Sequence, residues 1–103
     1  MGKPEAKFQN KYIDDLKKAG FKCIRVKASG NSNKGVPDYA VFYKKFWAWL
    51  EFKRSADAEV RPGQPENVEW AKNNSWGAFV YPENAEAVLD VLMMHKIEQD
   101  FPK

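Results

Sequence analysis

Residues 35–53 read GVPDYAVFYKKFWAWLEFK, and two short apolar runs stand out within them. Tyr39–Tyr43 and Phe46–Phe52 are rich in the aromatic and β-branched residues that suit a pleated, half-buried surface. Lys44 and Lys45 fall between the runs. If they form a two-residue hairpin turn, Tyr43 faces Phe46 and every opposed pair of residue numbers sums to 89. That register sets Asp38 directly across from Glu51. Side chains alternate faces along a strand, so Glu51 and Lys53 point the same way, and a residue opposite Glu51 shares that face. Two carboxylates and an ammonium converge at one end of the hairpin.

Like charges directly opposed in a sheet are destabilising, so something cationic should lie between Asp38 and Glu51. Lys53 can serve alone, in which case the face is a solvated one with a surface ion pair. A divalent metal serves better, because hard cations such as Mg²⁺ take oxygen from one or two carboxylates and keep positions for water and phosphate oxygens. The backbone carbonyl of Phe52 lies between the charged side chains as a further ligand. The charges interrupt strongly apolar strands, which favours the functional reading. Removing either carboxylate is then expected to relieve repulsion.

A chain of 103 residues, 44% hydrophobic, suits one domain spanning residues 1–103 with one core and with apolar surface left for a partner subunit. No run of 18 apolar residues is present, and the first residues, MGKPEAKFQNK, lack the apolar centre of a signal peptide. The expectation is a soluble, unsecreted, cytoplasmic protein with no membrane contact. Cys23 is the only cysteine and His95 the only histidine, which excludes an internal disulfide and a Cys/His zinc site. Cys23 reads as a small packing residue. The net charge of +3 hides an asymmetry: residues 1–61 carry 14 Lys and Arg against 7 Asp and Glu, and residues 62–103 carry 3 against 7. Basic charge gathered around the hairpin suits a polyanion.

Around the hairpin, Lys3–Gly20 has the spacing of a helix, with Pro4 at its start, Gly20 past its end, and Phe8, Tyr12, Leu16 and Ala19 on one face. Glu5 lies three residues before Phe8 on that face; it is either a core-side acid or a first-turn acid stabilised by the helix dipole. Phe21–Ala28 alternates as a strand, with Lys22, Arg25 and Lys27 turned to solvent or to a ligand. SGNSNKG, residues 29–35, is a loop able to contact phosphate. Pro37 belongs at a strand's first residue. After the polar loop RSADAEVRPG come a helix over QPENVEWAKNN, a buried strand at Ala78–Tyr81 and an amphipathic helix from Asn84 to about Glu98. Ala85, Val88, Leu89, Leu92 and Met93 form the stripe of that last helix. His95 reads as exposed, since Met94 and Lys96 offer it no orienting partner. The order α-β-β-β-α-β-α implies an α/β fold in which an antiparallel meander is joined by a crossover helix to a fourth strand, parallel to a neighbour.

Gly35-Val36-Pro37-Asp38 followed by Glu51-Phe52-Lys53 resembles the PD-(D/E)xK nuclease signature in the form carried by VRR-NUC domains. The resemblance spans most of the chain: an acid on a first helix, the GxPD strand, the E-x-K strand, a helix entered through S-P-E-Q-x-x-W, then a Gly and a short strand. Glu5 stands at the helix acid and Gln64-Pro65-Glu66-Asn67 at the helix entry, with Asn67 at the family's Gln and Gln64 one turn earlier. The arrangement is also similar to archaeal-type Holliday junction resolvases, which are dimers.

The resemblance implies a restriction-endonuclease-like core with a mixed four-stranded sheet flanked by helices. It also implies a metal-dependent DNA endonuclease. Asp38, Glu51, Glu5 and the Phe52 carbonyl would hold Mg²⁺, with Mn²⁺ able to substitute. Lys53 would orient or deprotonate the attacking water and stabilise charge on the phosphoryl oxygens. Gln64 or Asn67 would hold the water or a phosphate. Lys27, Ser29, Lys34 and Arg54 are the candidates for contact with the DNA backbone, and a homodimer selective for branched DNA is the expected assembly. Three alternatives remain: a non-specific metal-dependent nuclease, a nucleic-acid-binding module using Trp47 and Trp49 as stacking surfaces, and a protein-interaction domain. For the two tryptophans, packing under the first helix is the reading we favour. The intact Asp38, Glu51 and Lys53 set argues against the second and third alternatives.

Overall fold

The structure, a computed structural model, describes residues 4–26, 36–58 and 63–102, with side chains from residue 7 onward. In chain order it contains α1 (Pro4–Lys18), β1 (Lys22–Arg25), β2 (Tyr39–Tyr43), β3 (Phe46–Phe52), α2 (Gln64–Asn74), β4 (Gly77–Val80) and α3 (Ala85–Asp100). The strands form one sheet in the order β1-β2-β3-β4. The first three are an antiparallel meander, and β4 runs parallel to β3 through the α2 crossover. This is the mixed, helix-flanked α/β sheet expected from the sequence.

The hairpin takes the anticipated register, from Tyr43 opposite Phe46 to Tyr39 opposite Leu50. Its tight turn requires a positive φ, and Lys44 supplies it at 53°. The end of α3 holds that turn in place. Asp100 Oδ1 accepts the Tyr43 hydroxyl at 2.8 Å and pairs with Lys44 Nζ at 2.7 Å, and Gln99 Oε1 accepts the Lys45 backbone N–H at 3.0 Å.

Because side chains alternate, the register sorts the hairpin into two faces. Phe46, Ala48, Leu50 and Phe52 of β3 are buried, with Val41 of β2, against α1 and α3. Phe52 lies edge-on to Phe8, Tyr12 and Tyr39, with ring centroids 5.9, 5.7 and 6.3 Å away. Each such contact adds roughly 0.5–1.5 kcal/mol beyond its area. Leu16 of α1 and Val88 and Leu92 of α3 complete this core, and Tyr12 donates to the Ala85 carbonyl at 3.0 Å, tying the two helices together. Burial raises the Tyr12 hydroxyl well above the ordinary phenol range, with the charge of Asp90 adding to the effect. α1 ends on Gly20 at φ 101°, with Phe21 N–H bonded to the Leu16 carbonyl and Gly20 N–H to that of Lys17. This is the Schellman arrangement that only a left-handed residue allows. Cys23 is half-buried and packs against the core as expected; burial pushes its thiol up to about 11, against a smaller opposing effect of Lys17.

α2 takes the other face. Gly77 has no room for a side chain: a Cβ there would sit 2.9 Å from both the Ala71 Cβ and the Val68 carbonyl oxygen. Glycine thus lets α2 lie directly on β4.

Four expectations need correction. Trp47 and Trp49 do not pack under the first helix, because the crossover puts α2 on their face. They cluster with Trp70, whose ring centroid is 5.9 Å from that of Trp47 and 5.4 Å from that of Trp49. His95 is half-buried rather than exposed. Its ring stacks on Phe46 at 4.2 Å and 10°, and its Nδ1 lies 3.3 Å from Glu98 Oε1, one turn further along α3. The first strand is shorter than Phe21–Ala28: it spans Lys22–Arg25, and residues 27 and 28 lie outside the described residues. Pro37 does not open β2, whose ladder starts at Tyr39.

Two outcomes follow. Gly77→Ala should lower stability by about 1–3 kcal/mol in chemical denaturation, since the backbone oxygen of Val68 cannot move aside alone. Lys44 and Tyr43, by their hydrogen bonds, hold the Asp100 carboxyl below the ordinary Asp value. Its stabilising effect on the turn should therefore be complete above that ordinary value and fade as pH falls through the lowered one. The protection of the Lys45 amide relative to its intrinsic exchange rate at each pH should report the loosening, and in Asp100→Asn that protection should no longer fall over the carboxylate range.

Candidate active site

The hairpin register, carried one residue beyond its last pair, sets Asp38 against Glu51. That position is a non-hydrogen-bonded pair, the kind in which opposed side chains approach most closely. The Asp38 backbone is fixed from the other side just past the end of β1, where Val26 N–H bonds to the Asp38 carbonyl at 3.0 Å. Its side chain is fixed by β3: Asp38 Oδ2 accepts the backbone N–H of Phe52 at 2.8 Å. In an unbroken ladder Phe52 would exchange two bonds with residue 37. Pro37 has no N–H to give the Phe52 carbonyl, and the Asp38 carboxylate takes the Phe52 N–H. N–H and C=O of one strand residue point the same way, so the Phe52 carbonyl is directed to the Asp38 side.

Glu51 is 4% exposed, and Gln64 is the other buried polar side chain among the described residues. Burying a carboxylate is costly unless it is paired or coordinated. Both residues, like Asp38 and Asn67, make polar interactions in the structure. Lys53 follows on the same face. Its backbone N–H bonds to the Val80 carbonyl at 2.8 Å, and its half-buried side chain runs over the rings of Phe79 and Tyr81, 5.5 and 5.9 Å from their centroids. Lys53 Nζ donates to the Ala56 carbonyl at 3.4 Å.

α2 brings the amides. Its C-terminal end is fixed beside Trp47, where Ser75 Oγ donates to the Trp47 carbonyl, and Trp70 lies over Trp47 and Trp49. The helix therefore runs back along β3, and at 1.5 Å per residue Gln64 lies roughly 9 Å beyond Trp70, toward the Glu51 end. Asn67 is half-buried in the same turn. Arg54 is exposed just past Lys53.

Glu5 lies in the first turn of α1, one turn before Phe8, whose ring packs on Phe52. Its side chain is outside the described residues, as are Lys27, Ser29 and Lys34. Among the described residues no group of three or more His, Cys, Asp or Glu forms a metal site. The described donors are two carboxylates and a carbonyl directed beside them. That all-oxygen set fits a hard divalent cation and does not fit zinc or copper.

No protein-family model matches this chain, and no curated protein does. Solved structures do. A chain described as a VRR_NUC domain superposes with a TM-score of 0.68 at 17% identity, over 86% of this chain and 97% of that one. The Archaeoglobus fulgidus Hjc, a Holliday junction resolvase, superposes with a TM-score of 0.52 at 20% identity, over 75% of this chain and 69% of the resolvase. The chain has the fold of these proteins.

The bond from Phe52 N–H reverses one expectation about stability. Truncating Asp38 would leave a half-buried backbone N–H without its acceptor, a cost that outweighs relief of carboxylate repulsion. Asp38→Ala should lower unfolding free energy by about 1–3 kcal/mol. Asp38→Asn, which keeps an oxygen acceptor, should lose less than half of that. Denaturant titration of the two variants gives the comparison.

Proposed function

We propose that this chain, as one domain over residues 1–103, is a metal-dependent DNA nuclease that cuts internal phosphodiester bonds and prefers branched DNA. The observation that carries this reading is the register that opposes Asp38 to a buried Glu51 beside Lys53, on a sheet that superposes on a VRR_NUC domain and on a Holliday junction resolvase. A degenerate scaffold has little reason to keep two opposed carboxylates where one is buried.

Asp38, Glu51 and the Phe52 carbonyl would hold Mg²⁺ or Mn²⁺, with Glu5 as an outer ligand. Bound there, such an ion supplies a water of lowered pKa and neutralises charge on the scissile phosphate. The chain's own residues supply the rest. Lys53, whose side chain runs over Phe79 and Tyr81, orients the attacking water and donates to the phosphoryl oxygens as their charge grows. Gln64, the buried amide of the first α2 turn, holds water or phosphate by hydrogen bonds, with Asn67 beside it. Lys27, Ser29, Lys34 and Arg54 contact the DNA backbone around the site and set orientation without reading sequence. So small a chain has little surface for reading base edges, and its selectivity rests on DNA shape. We place it in the cytoplasm as a homodimer, which would set two sites on opposed strands. No helix among the described residues is long and apolar enough to cross a membrane.

A panel of labelled duplex, flap, fork and four-way junction DNA with Mg²⁺, Mn²⁺ or EDTA tests the activity. Cleavage should require the metal and be lost in Asp38→Asn and Glu51→Gln. Lys53→Ala should cut turnover at least a hundredfold while DNA affinity changes less than threefold, because one ammonium among many cations contributes little to phosphate binding. Full cleavage by folded Asp38→Asn protein would overturn the assignment.

A further inference from the structure

Seven large apolar side chains among the described residues are exposed, and they fall into two patches. Met94, Ile97 and Phe101 lie on and just after α3, in the acidic part of the chain. Ile24, Val26, Phe42 and Trp70 lie on the sheet face that carries Asp38 and Glu51, and three of these four belong to the basic part. α2 lies over β3 and β4, and among the described residues no helix lies over the β1–β2 half of this face.

That open half, together with Trp70 of α2 over the neighbouring β3, has the chemistry of a stacking surface. Trp70 is 52% exposed and its indole is backed by those of Trp47 and Trp49, which fixes its orientation from beneath. Phe42, 38% exposed, stands directly opposite Trp47 in the ladder. Lys22, exposed, is opposite Phe42 on β1 and places a cation at the rim. Asp38 and Phe42 share a face four residues apart, roughly 13 Å along the strand, which corresponds to about four base steps at 3.4 Å each. Flat aromatic faces beside a basic rim bind unpaired bases, because stacking suits any base and the cations follow the phosphates. The apolar patch on α3 lacks such a setting, with Glu98 and Asp100 around it.

We propose that the open half of this face, together with Trp70 of α2 over the neighbouring β3, binds unpaired bases of the DNA strand, stacked on Trp70 and Phe42, so that the site selects branched DNA carrying a single-stranded segment over fully paired DNA. The inference rests on the nuclease reading for the word site, but the binding surface stands or falls separately. Base stacking on unpaired segments then adds to the selectivity that DNA shape provides.

Binding is measured without cleavage, in EDTA, by fluorescence anisotropy of labelled oligothymidylate, splayed-arm DNA and plain duplex. Trp70→Ala should weaken oligothymidylate and splayed-arm binding roughly ten- to hundredfold, change duplex binding less than threefold, and be largely rescued in Trp70→Phe. Phe42→Ser, which leaves the tryptophan cluster intact, should show the same selective loss and guards against a folding defect in Trp70→Ala. An equal loss on duplex and single strand would overturn the proposal. So would unchanged single-strand affinity in both variants, or sedimentation showing that the variants only turn a dimer into monomers. Selective single-strand binding by a protein that cuts nothing would sink the nuclease reading and leave this surface standing. Cleavage that ignores Trp70 and Phe42 would do the reverse.

Discussion

The two-residue turn between Tyr43 and Phe46 is the constraint on which the rest of the molecule depends. In a sheet of period two, a slip of one residue would send Phe46, Ala48, Leu50 and Phe52 to the face now held by Trp47, Trp49 and Glu51. The core would then receive a carboxylate and lose its aromatic centre at Phe52. The chain fixes the turn from both ends: Lys44 accepts a left-handed backbone, and the last turn of α3 reaches back to hold Tyr43, Lys44 and Lys45. A helix 40 residues further along the chain thus helps to set which face Glu51 occupies.

Much of this was legible in the sequence because it is local. The hairpin, its register, the helix entered at Pro65 and the parallel fourth strand all follow from alternation, helical spacing and turn chemistry. The side-chain pattern also shows that Trp47, Trp49 and Glu51 share a face, yet it cannot say which helix covers that face. Assigning the tryptophans to the first helix fails for that reason: the crossover from β3 to β4 carries α2 to their side, and α1 stays with Phe52. The stacking partner of His95 is Phe46, 49 positions away, and no inspection of Met94 and Lys96 can reveal it. Within the site, the opposition of Asp38 and Glu51 was readable from arithmetic. The bond from Phe52 N–H to Asp38 was not, because a ladder pattern pairs backbone with backbone and gives no sign that a side chain will take over.

That substitution explains why the chemistry gathers where it does. Regular pairing uses up backbone donors and acceptors, so a sheet interior has little to offer a ligand. At Pro37 the pairing of β2 with β3 stops for want of an N–H, while β3 continues to Phe52 beside β4. The polar groups released by this mismatch lie beside a carboxylate already oriented by one of them. Glu51 is buried as well, on the same strand as the core residues Leu50 and Phe52 but on its opposite face.

β1 leaves the protein with an exposure of another kind. It is the outermost strand on its side of the sheet, only four residues long, and three of the four are exposed. Its far ladder is a template on which a strand of another copy could grow, with Ile24 offering an apolar contact. Lys22 and Arg25 bracket Ile24, and two cations on so short an edge repel an identical strand arriving beside them. The strand that steadies the Asp38 backbone therefore also governs colloidal behaviour: neutralising those two charges would invite edge-to-edge aggregation, and with it a pull on the backbone that orients the carboxylate.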